Sequence, residues 1–312
     1  MKNFTKKLLF FTTLSIVTME GYNKYISYKS KEDLKDTSVN GDYYDYKYGN
    51  IYYKKRGHGS PLLLIHDLNP MASLKEWDKL SVLLEKNHTV YTIDLLGCGL
   101  SDKPNLTYTT YFYVQLINSF IKNVIKEETT VVASHLSNTL VTMANQMEPD
   151  LFTKLFLINP ISPDCTKGDI NFIEKLKKRL INTPILGTFI YNITFSKKNI
   201  LNVFKEGYFY DFTKIDQSLL NTYHANSHID NSAGKYLYSS MISNYLDVNL
   251  NNAYENIQTE TTIISSRNNF ASNEEFNTIA NKNDQIDVIT ISNCKLMPHL
   301  ENPIKISKLI NK

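Results

Sequence analysis

Short apolar runs of buried-strand type recur along this chain, and stretches with helical spacing separate them. "SPLLLIHD" (Ser60 to Asp67), "TVYTIDL" (Thr89 to Leu95), "TTVVAS" (Thr129 to Ser134), "KLFLINP" (Lys154 to Pro160), "TTIISS" (Thr261 to Ser266) and "IDVITIS" (Ile286 to Ser292) form the series. Unbroken apolar character over so short a length marks strands covered on both faces. Between the first two, "LKEWDKLSVLLEKN" sets Leu74, Trp77, Leu80, Leu83 and Leu84 on one helical face, and "TYFYVQLINSFIKNVI" reads as a second helix. This alternation predicts βαβ units: an α/β fold with a mainly parallel sheet and helices on both faces. Ahead of it, "YYDYKYGNIYYKKRG" predicts a hairpin turning at Gly49-Asn50. The rhythm breaks from 165 to 256, where "NFIEKLKKRL", "ILGTFIYNITF" and "GKYLYSSMISNYL" follow one another without a buried strand. That segment reads as a helical cap inserted between two blocks of core, 41–164 and 257–312. "NPIKISKLINK" predicts a closing helix with Pro303 in its first turn.

Composition narrows the partners. With 34 basic and 31 acidic residues, the net charge is +3 and no single-sign block stands out, which argues against nucleic acid. Cys98, Cys165 and Cys294 lie far apart, so neither a disulfide framework nor a structural zinc site is expected. No metal site and no cofactor are read from the sequence. At the amino terminus, Lys2, Lys6 and Lys7 precede an apolar run from Leu8 to Met19. The run has the length of a signal peptide, short of the roughly 20 residues that span a bilayer. Residues 1–40 are therefore expected to be a hydrophobic anchor or signal-like segment with a polar tether from about residue 20. This makes the protein membrane-associated, with its body outside the cytoplasm; a secreted or a cytoplasmic protein is the alternative.

Two strings carry a family resemblance. "LLLIHDLN" follows the hairpin and "YTIDLLGCGLSDKP" follows the next helix. They resemble the amino-terminal half of α/β-hydrolase-fold proteins, where one strand ends in His-Gly and the next leads into Asp-x-x-Gly-x-Gly-x-Ser. His66 matches the first pattern, and Asp94, Gly97, Gly99 and Ser101 match the second position by position. The resemblance covers Tyr43 to Asn311 and implies the capped, small-molecule (ester) hydrolase-like branch, with 165–256 as the cap.

The family's chemistry implies four parts. A nucleophile sits in a small-x-nucleophile-x-small turn, two backbone N–H groups hold an oxyanion, an acid follows a late strand, and a His follows the last one. This chain departs at each. In Ala133-Ser134-His135-Leu136-Ser137 the apex is His135. In "SSRNN" the acid's place falls to Asn269, and in "KLMPHLENP" the catalytic His position falls to Leu296, while the second His of that pattern remains as His299. Asp67, Leu68 and Leu136 stand at the oxyanion-hole positions, and Asp67 brings negative charge where Gly is expected. A rescue triad would take Ser134 or Ser137 as nucleophile, His299 as base and Asp164 as acid. Ser134 as the apex would put Val132 and Leu136 at the small positions, and Ser137 would put His135 and Thr139 there. The expectation is a degenerate, non-catalytic or weakly active hydrolase relative that binds a small apolar ligand or a protein partner. The competing reading is an active hydrolase of ester or amide-like bonds through the rescue triad.

Overall fold

A computed structural model describes residues 2–34, 40–163, 168–266 and 273–312, the side chains of residues 2–10, 34 and 273 excepted. One sheet of eight strands forms the body: β1 (Asp42–Tyr46), β2 (Gly49–Arg56), β3 (Ser60–Ile65), β4 (His88–Ile93), β5 (Thr129–Ser134), β6 (Phe152–Ile158), β7 (Glu260–Ser266) and β8 (Ile286–Ile291). The spatial order is β1-β2-β4-β3-β5-β6-β7-β8. β2 runs antiparallel to both its neighbours, β1 and β4, and every other pairing is parallel.

The period of two along each strand splits the core into two layers. Leu63, Ile65, Val131, Ala133, Leu155 and Leu157 point to one face. There they meet α3 (Thr110–Phe120) and α4 (Ser137–Met147), which supply Leu116, Phe120, Leu140 and Ala144. Leu62, Leu64, Val132, Phe156 and Ile158 point to the other, onto Trp77, onto Leu80 and Leu84 of α2 (Asp78–Leu84), and onto Ile306 and Ile310 near the carboxyl end. Strands buried on both sides read as unbroken apolar runs, which is why the sequence located them.

The hairpin is displaced from its expected place. Tyr46 pairs with Gly49, so the turn is Lys47-Tyr48 and Gly49 already belongs to β2. Gly49, at φ +143°, serves close packing instead of the turn: a Cβ there would stand 2.8 Å from the Cβ of Asp102, whose carboxylate accepts the Asn50 N–H at 2.7 Å. Gly97 and Gly99, by contrast, take positive φ (92° and 47°) in the loop after β4, as their motif implied. Asp94 braces that loop by accepting N–H groups from Leu74 and Leu100.

Between β6 and β7 the chain forms α5 (Phe172–Ile181), α6 (Leu186–Thr194), α7 (Lys197–Val203), α8 (Gln217–Ser232), α9 (Lys235–Met241) and α10 (Asn251–Glu255). α11 (Asn273–Ala280), α12 (Pro298–Glu301) and α13 (Pro303–Ile310) complete the helices of the described residues. α13 carries Pro303 in its first turn.

The amino-terminal segment differs from the anchor-plus-tether expectation. It is one helix, α1 (Lys2–Leu34), that runs straight through the stretch read as a polar tether. Polar residues there find partners on the cap: Asn23 Nδ2 donates to the Ile185 carbonyl, Ser27 Oγ donates to Asn231 Oδ1, and Asp33 pairs with Lys197. Among the described residues, no helix is long and apolar enough to cross a membrane.

Candidate functional site

Strand order reverses around β3, and in such sheets the crevice at the carboxyl ends of the strands is where ligands bind. The register Ile65↔Ala133 lays β3 beside β5 at that point, so His66 and Asp67 emerge next to Ser134 and His135. His135 is the apex of the bend between β5 and α4, at φ +44°. A left-handed backbone is unusual for a residue with a Cβ, and main-chain contacts hold it here. The His135 N–H donates to the Ile158 carbonyl, and Asn138 Nδ2 donates to the carbonyls of both His135 and Ile158.

Asp67 fills the space in front of the apex. Its side chain is 2% exposed, and Oδ1 lies 3.2 Å from Nδ1 of His135, whose ring is 27% exposed. The same Oδ1 accepts the Leu136 N–H at 3.1 Å, and Oδ2 accepts the Tyr208 hydroxyl at 3.2 Å. Burial pushes the Asp67 carboxyl up, but the His135 ring and the hydrogen bonds from His135, Leu136 and Tyr208 outweigh it and hold the group below the usual carboxylate range. Burial first, and the Asp67 charge next, push the Tyr208 phenol well up, so it stays a donor. The Leu136 N–H, one of the expected oxyanion donors, thus already has an anion of the protein's own. Leu68, also expected at the oxyanion hole, is fully buried in the core.

The serines go elsewhere. Ser134 Oγ donates to Glu76 Oε1 at 2.5 Å, and His299 Nε2 meets the same oxygen at 2.8 Å. Glu76 Oε2 accepts the Asp67 N–H at 3.3 Å, and the His299 ring stacks on Trp77 with centroids 4.3 Å apart. The structure therefore brings Ser134 and His299 to one carboxylate, with no hydrogen bond from one to the other. Ser137 Oγ donates to the His66 carbonyl. His66 accepts the Leu95 N–H at Nε2, leaving Nδ1 to donate to the Asp67 carbonyl, so this ring supports the loop. Leu296 is buried among Met71, Tyr208 and Tyr223, in an apolar cluster formed with the cap. Asn269 and Asp164 lie outside the described residues. No group of three or more His, Cys, Asp or Glu among the described residues is placed to hold a metal ion. Cys98 and Cys294 are free and buried, and Cys165 lies outside the described residues.

Three residues of this region were not found from the sequence. Glu76 carried a signal, a carboxylate beside Trp77 on an apolar helical face. Asn159 carried a weaker one as the Asn of an Asn-Pro pair ending a strand. Its amide donates to the carbonyls of Lys295 and Leu296, and its oxygen accepts the Ser266 N–H and hydroxyl. Tyr208 had none.

The architecture recurs in solved structures. A meta-cleavage product hydrolase of Pseudomonas fluorescens IP01 superposes with a TM-score of 0.66 at 17% identity, covering 84% of this chain and 93% of that one. The chain has the α/β-hydrolase fold. A serine hydrolase involved in carbazole degradation matches at TM-score 0.70 and 16% identity, over 87% of this α/β-hydrolase-fold chain and 96% of its own. A membrane phospholipase A, a bacterial virulence factor, matches at 0.67 and 15%, covering 100% of this chain and 97% of that one. No protein-family model matches the chain. Uncharacterized proteins of Mycobacterium bovis and Mycobacterium tuberculosis are 27% identical over 124 residues, which is 40% of this chain. The matched stretch spans 35% of the length of those relatives.

Proposed function

We propose that this α/β-hydrolase-fold protein is a pseudohydrolase: a binding protein for a small apolar ligand or a protein partner, with little or no serine-dependent hydrolysis. The observation that carries the reading is the Leu136 N–H donating to the Asp67 carboxylate. A tetrahedral intermediate needs that donor free and a neutral or positive surround. Here a buried anion occupies the donor and would repel the developing charge. His135 at the apex and Leu296 in the cap cluster point the same way, since neither supplies a hydroxyl nucleophile or the base that activates one. The solved neighbours named above as hydrolases show that the fold supports hydrolysis, and function rests on the site. The full-length protein is expected to show no labelling by a serine-directed fluorophosphonate and no turnover of a short-chain p-nitrophenyl ester above background. Labelling that disappears in Ser134→Ala or Ser137→Ala would establish an activated serine and overturn the reading.

A membrane-surface role for α1 is a second reading. Phe11, Leu14, Ile16 and Val17 are exposed on the helix, and Lys2, Lys6 and Lys7 precede them with no acid before Glu20. Apolar surface joined to positive charge suits the interface of an anionic bilayer. The full chain is expected to float with phosphatidylglycerol-containing vesicles and to lose that binding when Phe11, Leu14 and Val17 are all changed to Ser. Flotation equal in the two proteins, or absent from both, would discard the reading.

A further inference from the structure

The seat of α1 on the cap contains a buried histidine pair that neither reading above uses. α1 and α8 run antiparallel, tied at one end by Asp33 beside His224 and at the other by Ser27 to Asn231. His224 at the first tie and His228 between the two are one turn apart on the same face of α8, with ring centroids 4.4 Å apart. Both are buried, as are Ser30 and Ile26, the α1 residues between Asp33 and Asn23 that face inward. His228 Nδ1 bonds to the His224 carbonyl and to Ser227 Oγ. His224 Nδ1 is buried with no hydrogen-bond partner, while the Asn192 backbone on α6 favours the charged form of His228.

We propose that the docking of α1 on the cap is an acid-sensitive latch, closed while His224 and His228 are neutral and opened when they take up protons. The charged groups facing the pair favour neutrality. Asp33 of α1 stands 3.8 Å from His224 Nδ1, but Lys197 of α7 pairs with that carboxylate at 3.0 Å and repels an imidazolium. α6 contributes the Tyr191 ring, 6.1 Å from His228, which burial keeps un-ionised. Within the pair the ring centroids are only 4.4 Å apart, so two imidazolium charges would repel each other strongly. Burial, then His228 and Lys197, pull His224 down to about 3, and burial pulls His228 down to about 4 despite hydrogen bonds that favour its charged form. A released ring returns towards the ordinary value of about 6.5. The docked state is therefore fully favoured above that value and loses ground as pH falls below it. At one unit below, each ring freed weakens docking about tenfold.

Hydrogen exchange of the intact chain tests this, with rates corrected for the intrinsic effect of pH. Between pH 7.5 and 5.5, protection of residues 19–34 is expected to fall at least tenfold while the peptides of β5 and β6 keep theirs. In the doubly substituted His224→Gln, His228→Asn protein the α1 protection should not change with pH. Constant protection in the native chain would overturn the proposal. So would an equal loss in the variant, or a gain on acidification, which would mean that Asp33 captures the imidazolium. Should the variant not fold, the imidazole C2–H titrations of the native chain decide. Two rings silent above pH 5, in a chain whose α1 has nonetheless come free, would exclude the pair as the trigger.

Discussion

Glu76→Ala is expected to cost on the order of 3–5 kcal/mol of folding free energy, the largest effect of any single change at this site. The carboxylate is essentially inaccessible and collects the Ser134 hydroxyl, the His299 ring and the Asp67 N–H. Alanine removes the acceptor and leaves all three groups buried without a partner, each at a cost of about 1–3 kcal/mol before relaxation. Glu76→Gln is expected to fall between, because the amide keeps one acceptor oxygen but turns an NH2 towards a donor. Urea denaturation followed by Trp77 fluorescence measures both, and the chain has no other Trp to confuse the signal. Trp77 also reports locally, since it stacks on His299. Midpoints within experimental scatter for all three proteins would mean that the network contributes nothing to stability.

Asn159→Ala should come second, at roughly 3 kcal/mol. The Asn159 side chain ties the end of β6 to the end of β7 and to the loop carrying Lys295 and Leu296. Its backbone is left-handed, at φ +45°, where Asn is tolerated and Ala is strained by about 1 kcal/mol. Asn159→Gly removes the hydrogen bonds but relieves the strain, so the expected order of stability is Asn, Gly, Ala. A glycine variant no better than alanine would assign the whole loss to the side-chain bonds and reject the backbone contribution.

The fold was legible where local pattern and burial coincide. Parallel strands sheathed on both faces cannot hide their apolar runs, and Gly97 and Gly99 announce a loop that needs positive φ. The apex of the bend was also readable, because small residues two positions to either side of His135 leave few registers that fit. The hairpin turn was displaced because Gly49 suits a turn, whereas its lack of a side chain is used to admit Asp102, a contact made across 53 positions of sequence. The course of α1 beyond Glu20 was missed for a related reason. Its polar residues look like a tether until the cap is placed against them, and the cap is more than 150 residues away. Glu76 shows the same limit within the site: an acid on an apolar face is a warning, but its partners at 134 and 299 exist only in the folded chain.

The bend at His135 is fastened through the Ile158 carbonyl and the Asn138 amide, and none of those ties involves the ring it displays. Shape and cargo are thus separable at this corner. A substitution of the ring would change what this corner presents and leave the ties beneath it in place.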